Sequence, residues 1–405
     1  MKYAVDQTHV RSINQRIILD RIFQTDSISR AALSRLIHIS KSAMTENIAA
    51  LLNTGIIQEI GAGSAKSTGG RKPILLQFNR DYAHIIAIDL NYADPIFVLA
   101  NLGGDIINRF TISVTASASY ETRLELVKNA IATLMASVNL RNAEHTIIAI
   151  SCPGIYHPAS GEFRINQQFA NWNIPLLSKQ LEELFQTKVL IANDVNAAAV
   201  GELRYGIGKG AENLLYVSCG LGLGAGIIIN GALYEGTWNG AGEIANFIIF
   251  SPEGCCRLEP LVNIDSLFRR LQSAPEQTRQ LIFGDADRPD FKNVTDAWSK
   301  GDPAVRKALD EIAYHLGCAI SNVISLLNCD RVIWGGEYRV FQEQMLPIIN
   351  QVVKQNAFYP IEVVASSLSR DSGIYGLFAL ATEEIFQDLC GSGARKNNAG
   401  DHFNG

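Results

Sequence analysis

No stretch of this chain stays apolar for the roughly 20 residues that a membrane-spanning helix needs. Its first residues, Met1-Lys2-Tyr3-Ala4-Val5-Asp6, lack the apolar centre of a secretory signal. A soluble, cytoplasmic protein is the expectation. Cysteine is scarce: the seven, at 152, 219, 255, 256, 318, 329 and 390, sit mostly inside apolar segments. That set forms no disulfide framework and suits a reducing compartment. Neither charge sign dominates, with 35 Lys and Arg against 40 Asp and Glu. What is present is ordinary for a globular chain: 405 residues, 47% hydrophobic, enough to bury a substantial core in more than one domain.

The near-balance of charge hides a split. Residues 1–80 hold 11 basic and 5 acidic side chains, net +6, which leaves 24 basic and 35 acidic in 81–405, net −11. A basic head on an acidic body suggests a head that meets a polyanion, although solvated basic faces are common without one. The local pattern is more specific. Val10, Ile13, Ile17, Ile18 and Ile22 recur at helical spacing and predict a first helix of about three turns. Ser29 is placed to cap a second helix, with Ala32, Leu33, Leu36 and Ile37 on one face, and Ser40 to cap a third. In that third helix Met44, Ile48, Leu51 and Leu52 form the inner stripe. Lys41, Ser42, Thr45, Glu46 and Ala49 are left outside, small and polar with a basic start, which suits a recognition helix in the major groove. Asn53-Thr54-Gly55 stops the helix. Strands at 56–60 and 74–78 then flank a Gly/Ser-rich loop carrying Lys66, Arg71 and Lys72, a wing able to touch phosphates or a minor groove. Three-helix modules also mediate protein assembly; spacing, wing and charge together favour double-stranded DNA.

From His84 the pattern turns to short strands and tight turns. Segments 85–90, 96–101 and 106–114 predict a three-strand meander, followed by a helix through Leu124, Val127, Ile131 and Leu134 and a strand at 146–151. A second meander is expected at 214–218 and 226–231, so the body reads as a duplicated α/β unit with a cleft between two lobes. Strand 190–192 ends on Asn193-Asp194, and an alanine-rich helix follows. An amide and a carboxylate at a strand end can grip sugar hydroxyls, and Asp194 can act as a general base toward one. Asp194 can equally cap the helix it precedes.

These residues resemble the ROK family of repressors, open reading frames and sugar kinases. The resemblance spans about 8–390. It rests on Gly69-Gly70-Arg71-Lys72-Pro73, Cys152-Pro153-Gly154, Asn171-Trp172, Asn193-Asp194-Val195-Asn196-Ala197-Ala198, the glycines from Gly220 to Gly231, Gly242-Glu243-Ile244, and Gly335-Gly336. Each motif is weak alone; their order is specific. The resemblance implies an α/β fold: an N-terminal winged helix-turn-helix, then a two-lobe actin/hexokinase-like (ribonuclease H-like) ROK domain. The expected division is 1–80 head, 81–200 first lobe completed by a helix at about 373–390, 201–372 second lobe, and 391–405 a disordered tail. It further implies sugar contact by Asn171, Asn193, Asp194, Glu243, Asn246 and Glu259.

Departures from the family pattern separate sensor from enzyme. The first phosphate turn of the kinases, Gly-Gly-Thr, is replaced by Asn91-Tyr92-Ala93, whose β-carbons stand where phosphate needs bare backbone. The second, Gly220-Leu221-Gly222-Leu223-Gly224, carries Leu221 in place of a threonine. Phosphoryl transfer depends on positioning and charge stabilisation, so ATP is not expected as a cofactor. The family's zinc-orienting histidine is Asn246 here, and its cysteine loop is shortened to Gly254-Cys255-Cys256, so no structural zinc is expected. The leading reading is a sugar-responsive repressor of carbohydrate genes, xylose use among them, acting as a homodimer or homotetramer without membrane contact. The alternatives are an ATP-dependent sugar kinase with an accessory head and a ligand-independent DNA-binding scaffold.

Overall fold

The computed structural model describes residues 7–62, 73–90, 94–115, 117–138, 145–157, 162–164, 167–251, 254–284 and 289–391. The expected wing contacts Lys66, Arg71 and Lys72, the turn Asn91-Tyr92-Ala93 and the tail beyond Gly391 lie outside the described residues.

The head consists of α1 (Gln7–Phe23), β1 (Ile28–Ser29), α2 (Arg30–Ile37), α3 (Lys41–Thr54), β2 (Ile57–Ala62) and β3 (Ile74–Phe78). Its three strands pair antiparallel in the order β1-β3-β2. Ser29 and Ser40 cap α2 and α3 by accepting from the backbone N–H groups of Ala32 and Ala43, which satisfies donors that a helix start leaves unpaired. Met44, Ile48 and Leu51 fill the inner face of α3 as their spacing predicts. The first helix differs. It is longer than the three turns expected, and it buries Ile18, Leu19 and Ile22 while Val10 and Ile17 are exposed. Its packing partners, not its periodicity, select the buried stripe: only its C-terminal half lies under the rest of the protein.

The body begins with β4 (His84–Asp89), β5 (Ile96–Asn101) and β6 (Ile106–Thr111), then α4 (Tyr120–Ala136) and β7 (Thr146–Cys152). A small hairpin, β8 (Ile155–His157) and β9 (Glu162–Arg164), leads to α5 (Ile174–Phe185), β10 (Val189–Asn193) and α6 (Asp194–Arg204). The sheet order is β10-β7-β4-β5-β6, an antiparallel meander flanked by two parallel strands. Strands β5 and β7 are buried throughout, which explains their unbroken apolar runs.

The second lobe repeats the plan. It contains β11 (Leu214–Cys219), β12 (Leu223–Ile229) and β13 (Ala232–Leu233), then the hairpin β14 (Ile248–Ser251) and β15 (Gly254–Arg257). Helices α7 (Glu259–Val262), α8 (Ile264–Gln272), α9 (Glu276–Phe283), α10 (Phe291–Ser299) and α11 (Pro303–Leu327) follow, then β16 (Arg331–Gly335), α12 (Gln342–Asn356), β17 (Val363–Ala365) and α13 (Ser372–Cys390). The order β13-β12-β11-β16-β17 again sets two parallel strands beside a meander. The second strand starts at Leu223, not at the expected 226, so Leu223 and Gly224 belong to β12 and not to the glycine loop. No helix among the described residues is long and apolar enough to cross a membrane.

The C-terminal helix joins the parts. Helices α6 and α13 cross closely because Gly376 has no side chain: a Cβ there would stand 1.7 Å from the Ala197 carbonyl oxygen. Farther along, α13 carries the head. Arg16 bridges to Glu383 at 2.5 Å, and Phe23, Phe78 and Phe386 form an edge-to-face triad. Head and first lobe therefore share one continuous core, running from Ile18 and Met44 through Phe386 to Ile85.

Candidate functional site

The strand-to-helix junction builds one wall of the cleft. Asn193, not Asp194, caps α6: its Oδ1 accepts from the N–H groups of Val195 and Asn196, both at 3.0 Å. Its amide nitrogen donates to the Gly154 carbonyl at 3.0 Å, tying the Cys152-Pro153-Gly154 segment to the same corner. Both ends of Asn193 are thus engaged within the protein, and its part is to set the position of Asp194. Asp194, the first residue of α6, lines the cleft. Its pKa is pushed up to about 7, mainly by desolvation and next by the negative charge of Asp89. Hydrogen bonds from backbone N–H groups, Val195 among them, oppose the rise, and Glu337 adds a smaller repulsion. Asp89, at the end of β4, is held by the Ser151 hydroxyl at 2.9 Å.

Strand β12 brings the second wall to the first. Gly224 lies against Val195, and the next residue, Ala225, donates its N–H to the Gly242 carbonyl at 2.9 Å. Gly242 is held so tightly that a Cβ would come within 1.8 Å of the Ala225 oxygen. Asp194-Val195 and Gly242-Glu243 therefore flank consecutive residues of one strand. Glu243 is exposed as a residue, yet its carboxyl end is shielded enough that desolvation, and then the charge of Glu259, raises its pKa. Asn246 ends the short turn after it and is also exposed. Across the cleft, Asn239 donates to the Tyr156 carbonyl at 2.9 Å, which links the Gly242 loop to the first lobe. Asn171 is exposed at the end of a 3₁₀ turn whose next residue, Trp172, is buried under the Arg123 guanidinium at 4.7 Å.

The glycine turn between β11 and β12 holds two carboxylates of the protein itself. Leu221 donates its backbone N–H to Glu337 Oε2 at 3.2 Å, and Leu223 donates to Glu259 Oε1 at 3.4 Å. A Cβ at Gly220 would lie 1.7 Å from the same Glu337 oxygen, so only glycine admits the carboxylate. Glu259 thus meets the turn rather than standing free toward a ligand. The deep part of the cleft, lined by Asp89, Asp194, Tyr216, Glu337, Arg339 and Arg370, encloses about 80 Å³. Ordinary small-molecule sites run to about 300–1,000 Å³. Larger cavities, about 880 Å³ around His145 and Lys188 and about 720 Å³ between head and body around Arg16 and Tyr205, gather none of the expected site residues.

The head presents the expected face. Lys41, Ser42, Thr45, Glu46 and Ala49 are all exposed on α3, and Thr45 bonds back to the Lys41 carbonyl at 2.9 Å. A zinc ion does not fit the shortened loop. Cys255 and Cys256 are successive strand residues, so their side chains leave opposite faces of β15, and Cys256 Sγ already points at the Ile249 carbonyl.

Two groups escaped sequence reasoning. Glu337 directly follows Gly335-Gly336, and an acid after a glycine pair at a strand end is the one signal that could have marked it. Glu202 is wholly buried and accepts from the hydroxyls of Ser366, Ser367 and Ser372 and the N–H groups of Ile207 and Leu368. Its five donors pin the end of α6 to the start of α13.

Comparison with known proteins fits this arrangement. The chain is 27% identical to the xylose repressor of Caldicellulosiruptor bescii, over 94% of this chain and 98% of that one. It is 26% identical to the DNA-binding transcriptional dual regulator NagC of Escherichia coli, over 94% and 95%. Among solved structures, a ROK family transcriptional regulator, homologue of the E. coli Mlc protein, superposes with a TM-score of 0.75 at 20% identity, over 94% of this chain and 98% of that one. A ROK glucokinase from Streptomyces griseus, solved with glucose and AMPPNP, reaches 0.59 at 23% identity, over 74% of this chain and all of its own. The ROK family model itself matches residues 85–384, and the chain belongs to the ROK family.

Proposed function

We propose that this protein is a sugar-responsive, DNA-binding transcriptional repressor whose cleft binds a sugar without phosphorylating it. One observation carries the reading: a head with an exposed recognition face shares its core with a two-lobe body whose phosphate side is filled by the protein's own side chains. Leu221 N–H, the donor a phosphate would use, faces Glu337, and the cavity that Glu337 shares with Asp194 encloses about 80 Å³. Asp194 and Glu243 offer carboxylates to hydroxyls, Asn171 and Asn246 stand exposed, and Asn193 and Glu259 fix the two ends of the constellation. Full-length similarity to named repressors, against partial coverage by kinases, supports the same reading.

In this reading α3 enters the major groove of an operator through Lys41, Ser42 and Thr45, while Lys66, Arg71 and Lys72 serve as wing contacts. Two or four copies present their heads at fixed spacing, and sugar binding alters that spacing by changing lobe closure. The test is DNase footprinting of the purified protein upstream of carbohydrate genes, with and without xylose, N-acetylglucosamine and a wider monosaccharide panel. Protection relieved by one sugar is the expected result. Sugar-dependent ATP hydrolysis that disappears in Asp194→Asn would establish the kinase reading instead.

A further inference from the structure

We propose that Glu337 is a built-in anion for the Gly220–Leu223 turn, taking the place of an external phosphate and closing the turn to nucleotides. The inference deepens the reading of a binding-only cleft, yet it can fail alone, since sugar and operator binding are measured separately. Three observations converge on it. The turn already binds carboxylates: Leu221 and Leu223 each donate an N–H to one. Backbone N–H groups in a glycine turn recognise a phosphate oxygen by the same geometry and charge as a carboxylate oxygen. Next, Gly220 is shaped around the occupant, since any side chain there would collide with Glu337 Oε2. Last, the two partners come from different elements. Leu221 lies in the β11–β12 turn and Glu337 just after β16, so the carboxylate adds a side-chain tie between two turns that follow paired, adjacent strands.

Burial pushes the Glu337 carboxyl above the usual carboxylate range, and backbone N–H groups, that of Leu221 among them, and then the charge of Arg370 oppose that rise. The ligand class that fits the emptied turn is a small oxyanion: inorganic phosphate or a phosphate monoester. With Glu337 in place, the turn of the wild-type chain is closed to such an oxyanion.

Glu337→Ala removes the carboxylate and leaves its volume free; Glu337→Gln keeps the volume and an acceptor but no charge. Thermal midpoints are read for wild type and both variants against inorganic phosphate and acetate from zero to tens of millimolar. The expected result is a lowered midpoint for Glu337→Ala that phosphate or acetate restores saturably, with no saturable response from wild type or Glu337→Gln. An equal phosphate response in wild type, or a folded Glu337→Ala that responds to neither anion, overturns the proposal. Should Glu337→Ala fail to fold, amide exchange decides the matter. The Leu221 amide is expected to be protected in wild type, despite the exposed side chain, and faster in Glu337→Gln. Rapid exchange in wild type sinks the idea.

Discussion

Asp194→Asn should make the protein more stable and unable to sense sugar. An ordinary aspartate titrates near 3.8, whereas Asp194 in the folded chain titrates at about 7. Because the folded value lies above the unfolded one, the folded chain holds more protons between those limits. Stability therefore falls as pH rises through that window, and the whole cost stands above pH 7. At about 1.4 kcal/mol per pH unit, the charge on Asp194 costs on the order of 4 kcal/mol. Asparagine keeps an acceptor for the Val195 N–H and removes the charge that Asp89 and Glu337 repel. Denaturant midpoints of wild type and variant, measured from pH 4 to pH 8, should diverge as pH rises and level off above 7. Calorimetric sugar binding should be lost in the variant. In wild type it should weaken below pH 7, where the carboxyl becomes protonated and accepts fewer hydrogen bonds. A variant no more stable than wild type at pH 8, or an advantage that does not shrink toward pH 4, would refute the reasoning. A residue that destabilises the fold in the ligand's absence is what a binding site predicts and a purely structural cap does not.

Other positions give sharper structural tests. Glu202→Ala strips the acceptor from three serine hydroxyls and two backbone N–H groups; a loss of several kcal/mol in urea unfolding is expected, with Glu202→Gln intermediate. Gly376→Ala drives a methyl into the Ala197 carbonyl and should cost about 1–3 kcal/mol or more, visible as a lowered thermal midpoint; an unchanged midpoint would mean the α6–α13 crossing is looser than described. Lys41→Ala should weaken operator binding about equally across sequences and flatten the log–log salt dependence by about one charge, whereas Thr45→Ala should relax base preference and leave the salt slope unchanged. Identical salt slopes for Lys41→Ala and wild type would remove Lys41 from the DNA face.

The parts legible in the sequence are those fixed by local chemistry. Serines before apolar stripes gave the starts of α2 and α3, Gly55 gave an end, and β3 and β5 fall at the residues expected from their apolar runs. Where a distant partner decides, local reading slips. The buried stripe of α1 is shared between α3 and β3 in the head and the distant α13, whose Glu383 meets Arg16 across 367 residues of sequence. β12 begins three residues early, and its glycines, poor strand formers in isolation, are what let α6 approach: a Cβ at Gly226 would stand 2.4 Å from the Ala199 Cβ. The site divides in the same way. Asn193-Asp194 stood out as a pair, but which of them capped the helix depended on Gly154, which takes the amide of Asn193. Glu337 was hard to see because its partner Leu221 lies 116 residues earlier, and the contact of Glu259 with Leu223, 36 residues before it, is equally absent from local sequence. Glycine-rich motifs show where backbone is bare, not what fills it. An anion cradle filled from within and one left open for phosphate have the same local sequence, and here the acid that distinguishes them sits at the end of another strand.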